Sequence, residues 1–320
     1  MKKSKDTFPR INGDLFLTDA GIETYIMYKK GFELPHFSLF HLLNDPKATQ
    51  EITTYCRSLI DVALRHKVGM ILCGIHYRAS RDWGELLGYT PSSLADINRK
   101  GVELLHSLKR EYETDDSPMV VSACIGPRGD AYQLNMTMSV DEAEDYHSEQ
   151  ITTLISAGAD LVTALTFNST VEAIGLARAA KAVDMPCVMS FTLDETGRLK
   201  TGQSLKEAIQ ETDAATEKSI AYYMINCTHP VDFQPALESG DWALRLNGIR
   251  PNASSLEKGV LCKLGHLEEG DPVELGQQMG AIAKDMPHMS IWGGCCGTDA
   301  AHMDEVCRNV LDARKLIDAA

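Results

Sequence analysis

The sequence predicts an α/β fold of the (β/α)8 barrel type, and three observations carry that expectation. Short apolar runs alternate with longer amphipathic stretches along all 320 residues, the pattern of strand–helix units around a parallel sheet. Eight such pairs follow one another without a linker, repeat or low-complexity segment, so the expected organisation is a single barrel domain over 1–320. Most strand candidates are continuously apolar, as strands buried on both faces must be. A doubly wound open sheet competes with this reading. It loses because no glycine fingerprint of the dinucleotide-binding type follows the first strand.

The first strand is read at 15–19, Leu-Phe-Leu-Thr-Asp, and 48–66 follows as a helix with Ile52, Tyr55, Cys56, Leu59 and Ala63 on one stripe. Strand two is expected at 69–73, then a helix over 93–112 carrying Leu94, Ile97, Leu104 and Leu108. Strand three at 119–123 leads to a helix over 140–156, closed by Gly158. Strand four at 160–164 precedes a helix over 170–182, and strand five at 187–191 one over 204–212. Strand six covers 221–226, with a short helix near 233–237. Strand seven is the weakest, at 243–246, before a helix over 272–284; strand eight at 289–292 and a helix over 300–316 close the chain.

Hydrophobic residues make up 44% of the chain and charged residues 24%, the profile of a soluble globular protein. The net charge of −14 argues against nucleic acid or an anionic membrane as partner, because no Lys/Arg cluster stands beyond residues 1–5. No apolar stretch follows that basic start, so a signal peptide is not expected, and no apolar run reaches membrane-spanning length. Nine scattered cysteines, an odd number, suit a reducing cytoplasm better than a disulfide framework. Cys56, Cys73, Cys124, Cys187, Cys262 and Cys307 lie in apolar or periodic contexts and read as small buried hydrophobes.

The other three cysteines lie in loop chemistry. Cys295 and Cys296 sit in Ile291-Trp292-Gly293-Gly294-Cys295-Cys296-Gly297-Thr298-Asp299. Adjacent side chains normally diverge, but flanking glycines permit a tight turn in which both sulfurs converge. Convergent thiolates suit a borderline metal such as zinc. Cys227, in Ile225-Asn226-Cys227-Thr228-His229-Pro230, is the candidate third ligand. In the barrel reading Asp19, Cys227, Cys295 and Cys296 all fall at C-terminal strand ends, where barrels build their active sites. The competing readings are a closed zinc knot with His229 as fourth ligand, or three unrelated buried cysteines. Pro230 beside His229 points to turn duty instead. A redox disulfide ranks lower, since vicinal cysteines form strained rings and no CxxC is present. Asp19 reads either as a turn residue bonding amides or as a partner for a substrate ammonium group.

These residues resemble the homocysteine S-methyltransferase family. Gly293-Gly-Cys-Cys-Gly-Thr298 is similar to that family's zinc motif, Asn226-Cys227 to the site of its third thiolate, and Leu17-Thr-Asp-Ala-Gly-Ile-Glu-Thr24 to its opening strand and Asp-Gly-Gly turn. Weaker similarity runs through 69–80, 122–127 and 157–173. The resemblance implies a (β/α)8 barrel, a Zn2+ ion on Cys227, Cys295 and Cys296, and substrate contacts from Asp19, Gly21, Thr166 and Asn226. It also implies methyl transfer from a small sulfonium or betaine-type donor to homocysteine, forming methionine, in the cytoplasm. The chain has room for the barrel only, with no length for folate or cobalamin domains, so a free small-molecule donor and a small thiol acceptor are the expected partners. A homo-oligomer is left open. Two departures stand out: the turn is Asp19-Ala20-Gly21, and Leu165-Thr166 stands where the family has Glu-Thr after strand four. The missing carboxylate keeps open a different thiol or selenol as acceptor, or a non-catalytic zinc-containing barrel. Segment 32–40 is a candidate lid, although Phe37 and Phe40 serve equally as packing anchors. Tyr77 and Trp83 either face a cationic donor or pack, and His76 is read as structural.

Overall fold

The structure, a computed structural model, describes residues 14–133, 138–256, 258–261 and 263–318. The basic start and Cys262 lie outside them. Eight parallel strands close into a barrel in chain order: β1 Phe16–Thr18, β2 Gly69–Leu72, β3 Met119–Ile125, β4 Leu161–Phe167, β5 Cys187–Phe191, β6 Tyr223–Asn226, β7 Leu246–Arg250 and β8 Ile291–Trp292. Closure is made by β1, where Phe16 registers with Gly69 of β2 on one side and Ile291 of β8 on the other. Phe16, Ile71, Leu161, Val188, Met224 and Ile291 come from six different strands yet pack on one another, so they fill the lumen. The opposite strand faces meet the surrounding helices in one continuous apolar cluster.

The main helices are α1 Pro46–His66, α2 Pro91–Tyr112, α3 Val140–Ser156, α4 Thr170–Ala182, α5 Leu205–Thr216, the short α6 Pro230–Phe233, α7 Pro272–Asp285 and α8 Ala300–Asp318. Their starts are written locally. Asp45 accepts from the Lys47 amide ahead of α1, and Thr90–Ser93, Ser139–Glu142 and Ser204–Glu207 form capping boxes ahead of α2, α3 and α5. Helix α5 runs four residues past its expected end, Thr212 to Thr216, because Thr212 and Thr216 are buried and donate back to carbonyls one turn earlier.

Strand seven needs the largest correction. It was expected at 243–246 but spans Leu246–Arg250, and Ala243 belongs to a 3-10 turn over Asp241–Arg245. The turn is anchored by Arg245, which pairs with Asp213 at 2.7 Å. The true strand contains Asn247, Gly248 and Arg250 and so carries no apolar run to reveal it. The candidate lid is instead a pair of 3-10 turns, Pro35–Phe37 and Leu39–Asn44. Leu39, Phe40 and Leu43 are buried in the main cluster with α1 and α2, and the Phe40 ring lies 5.5 Å from that of Tyr89. This segment anchors the outer wall.

Candidate metal centre at the barrel mouth

Strands β1, β4, β6, β7 and β8 bring the chemistry-bearing residues to one end of the barrel. β8 ends at Trp292, and the loop that follows is clamped by backbone bonds. Gly294 N–H donates to the Asp19 carbonyl at 3.0 Å, Cys295 N–H to Pro251 at 2.7 Å, and Ala253 N–H to Cys296 at 3.0 Å. Thr298 closes the turn by donating both N–H and Oγ1 to the Cys295 carbonyl. Gly297 takes φ +83, which a side chain would oppose. Cys227 follows β6 with φ 55, left-handed for a non-glycine residue. Its N–H donates to the Arg250 carbonyl, and its own carbonyl accepts from Asn252.

The three cysteines expected to meet do meet. The Sγ atoms of Cys227, Cys295 and Cys296 all lie within 4.8 Å of one another, and among the described residues no other such group of His, Cys, Asp or Glu is found. Cys227 is buried, and its two partners are partly exposed. Sulfurs on one tetrahedral zinc with Zn–S bonds of about 2.3 Å stand about 3.8 Å apart; the Cys227–Cys296 separation is 3.9 Å. Three thiols this close are a donor set that suits zinc once all three are reduced. Cys227 and Cys295 are joined as a disulfide, with Cα atoms 5.4 Å apart. A bridge between the β6 and β8 loops departs from the low rank expected for a disulfide. His229 is outside the sulfur group: it caps α6, its Nδ1 accepting from Val231 N–H. The remaining described cysteines, Cys56, Cys73, Cys124, Cys187 and Cys307, are free and buried. Burial pushes the Cys56, Cys187 and Cys307 thiols up to about 12, which leaves them inert.

Asn226 links the sulfurs to the rest of the mouth. Its Oδ1 accepts from Thr166 N–H at 2.8 Å and Ser190 Oγ at 2.6 Å, and its Nδ2 points to Cys295 Sγ at 3.9 Å. Thr166 is held at φ 61 at the register shift of β4, and its Oγ1 bonds Tyr77 Oη at 2.6 Å. Thr166 thus spends its amide and hydroxyl within the protein. Gly21 does likewise: its N–H donates to Thr298 and its carbonyl accepts from Tyr25 N–H and Thr24 Oγ1. A Cβ at position 21 would strike the Cys295 carbonyl. Gly21 therefore lets β1 approach the cysteine loop.

Asp19 is buried at the end of β1, and the partner it meets is one the sequence did not single out. Arg250 Nη2 lies 2.8 Å from Asp19 Oδ1, both side chains less than 8% exposed. Thr18 Oγ1 also donates to Oδ1, and Arg250 Nε donates to the Gly294 carbonyl. Asp19 Oδ2 and Arg250 Nη1 are buried without a hydrogen bond. Burial raises the Asp19 carboxyl above its ordinary range, and the Arg250 charge offsets part of that. Glu23, partly exposed in the same turn, is pushed up to about 7 by burial, with the Asp19 charge adding to the rise and its own backbone amide opposing it.

Leu165 packs with Cys73, Cys124 and Tyr77 in a small apolar cluster. The face of Trp83 is taken by Arg78, whose guanidinium lies 3.9 Å from the ring centroid, with Tyr77 at 5.3 Å. These rings hold an internal cation, so the packing reading of Trp83 and Tyr77 stands. His76 is structural as expected: burial pushes it down to about 4, and its Nε2 meets the Asn98 carbonyl.

Comparison with known proteins points the same way. Residues 70–310 match the family model described as homocysteine S-methyltransferase. A relative named homocysteine S-methyltransferase 2, from Arabidopsis thaliana, is 22% identical over 280 residues, covering 77% of this chain and 80% of the relative. The homocysteine methyltransferase MmuM from Escherichia coli shares the fold. Its oxidised form superposes with a TM-score of 0.71 at 20% identity, covering 92% of this chain and 95% of that one. Its metallated form gives 0.68 at 20% identity, covering 92% and 96%.

Proposed function

Because the chain belongs to the homocysteine S-methyltransferase family, and is thereby a methyltransferase, we propose that it moves a methyl group from a small sulfonium or betaine-type donor to homocysteine, forming methionine. The observation that supports this reading is the convergence of Cys227, Cys295 and Cys296 at the barrel mouth. In their reduced form these cysteines would hold Zn2+, which supplies the Lewis acidity that lowers the pKa of an acceptor thiol and leaves a coordination position for it. His229 is committed to its helix cap, which favours an open site over a closed knot.

The reaction then asks little acid–base work of the protein. The acceptor sulfur forms a bond to the methyl carbon, the donor's C–S+ or C–N+ bond breaks, and the leaving group departs neutral. The thiol proton passes to solvent. The chain's residues bind and orient: Asn226 holds the Cys295 sulfur and the Thr166 turn together, and Asp19 offers Oδ2 toward an acceptor ammonium. Among the described residues no helix is long and apolar enough to cross a membrane.

A different acceptor thiol is the second reading, favoured by the apolar setting of Leu165. The deciding experiment is a screen of thiol acceptors against sulfonium and betaine donors with reduced, zinc-loaded protein. Methionine formation from homocysteine supports the first reading. Turnover confined to a thiol without the amino-acid head supports the second. No turnover with any pair, on protein shown to carry zinc, refutes both.

A further inference from the structure

We infer that Ser190 is a positioning residue for the sulfur cluster. With the Thr166 amide it locks the Asn226 carboxamide so that Nδ2–H faces Cys295, and this N–H···S bond draws charge from one of the three thiolates. The inference rests on the metal-site reading above and extends it to groups on β4 and β5. Thr166 N–H can only donate, so the Asn226 atom 2.8 Å from it is the oxygen. Ser190 Oγ stands 2.6 Å from the same oxygen and donates to it as well. With two donors on Oδ1 the amide has one orientation, which leaves Nδ2 toward Cys295 Sγ at 3.9 Å.

Two features show that this orientation is built into the fold. Ser190 is fully buried in β5, among Cys187, Val188, Met189 and Phe191. A hydroxyl there is costly to desolvate unless it is bonded, and its bond goes to Asn226. Thr166 is held at φ 61 where β4 shifts register against β5. A non-glycine residue keeps such a conformation only where its surroundings enforce it, and here it aims the amide at Asn226. Both anchoring groups lie on β4 and β5 and neither is a sulfur. The carboxamide therefore keeps its aim on Cys295 whether the Cys227–Cys295 bridge is closed or reduced. A hydrogen bond to a thiolate stabilises the sulfur lone pairs and lowers the charge given to a bound metal. With Zn2+ present, the ion is then a stronger Lewis acid toward an acceptor thiol. Ser190 acts through Asn226.

The test loads reduced protein with Co2+ in place of zinc and reads the sulfur-to-cobalt charge-transfer band in the near ultraviolet. Asn226→Asp keeps an oxygen for Thr166 and Ser190 but puts a second oxygen where Nδ2 stood, so the band should move to longer wavelength. Ser190→Ala leaves Oδ1 with one donor and should move the band in the same direction by less. Val188→Ala, on the same strand and packed in the lumen, is the control. It should lower the unfolding midpoint and leave the band in place, which is what a merely structural role for Ser190 would also do. If Asn226→Asp fails to fold or to take up cobalt, Ser190→Ala decides. A native band that either folded, cobalt-loaded variant leaves unmoved overturns the proposal. Native protein that shows no thiolate band with cobalt refutes the metal-site reading and the proposal with it. A shifted band in protein that transfers no methyl group to homocysteine leaves the proposal standing and refutes the reaction.

Discussion

Replacing Asp19 with asparagine tests whether the mouth is organised around a buried ion pair. The substitution keeps shape and an amide oxygen but removes the charge facing Arg250 at 2.8 Å. Two unit charges about 4 Å apart attract by about 4 kcal/mol at an effective dielectric of about 20. Breaking a buried pair typically costs 3–5 kcal/mol, since the surviving charge is stranded. The asparagine oxygen can still accept from Arg250 Nη2, so the expected loss is about 3 kcal/mol, toward the lower end of that range.

The assay is urea unfolding of reduced, metal-free protein, read by far-UV circular dichroism, with unchanged m-values required before midpoints are compared. The set comprises native, Asp19→Asn, Arg250→Met and the double variant. Each single change should be strongly destabilising, and the double should recover about 2 kcal/mol relative to the sum of the singles, because it strands no charge. A loss under about 1 kcal/mol for Asp19→Asn, with additive singles, would refute the reasoning. Asp19 would then be the plain turn residue that its strand-end position also allows.

Reduced protein should bind a single zinc per chain, and Cys227→Ser, Cys295→Ser and Cys296→Ser should each lower the metal content measured by elemental analysis, with Cys307→Ser as an unaffected control. Full retention in all three would refute the assignment. Uptake should require a reductant, because the Cys227–Cys295 bridge occupies two of the three donors. Glu23→Gln should change the pH dependence of stability. The native carboxyl is raised from 4.5 to about 7, so the folded state holds the proton more tightly and native stability falls as pH climbs between those values. The variant should gain about 2 kcal/mol over native across that window, discounted for partial exposure, and the difference should be flat above it; a constant difference across the range would contradict the shift. Gly21→Ala should drive a Cβ into the Cys295 carbonyl, cost roughly 1–3 kcal/mol and reduce zinc content, where a simple substrate contact would leave the metal in place.

The barrel was legible because its lumen and outer faces both demand apolar strands, so most of the strands announced themselves as short continuous runs. β7 did not, and the consequence was specific. Placing that strand at 243–246 leaves Arg250 in a loop beyond it, whereas the strand ends at Arg250 and delivers it to the mouth. A buried arginine is invisible to hydropathy, since its burial depends on Asp19 more than 200 positions earlier. The cysteines were legible because Gly-Gly-Cys-Cys-Gly restricts what the backbone can do. Their bridge was not, because it depends on the three-dimensional approach of the β6 and β8 loops.

A buried ion pair is a poor device for stability alone, since apolar residues of similar volume often serve as well or better. The arrangement around Arg250 ties the end of β1 to the loop that carries the cysteines. Asp19 fixes the guanidinium at one oxygen, Gly294 fixes it at Nε, and Nη1 is left over. The same Gly294 begins the turn that carries Cys295 and Cys296, and Asn226 ties Cys295 to the β4 and β5 ends. The distance from the spare guanidinium nitrogen to the sulfur cluster is therefore set by strand ends and their short, hydrogen-bonded loops.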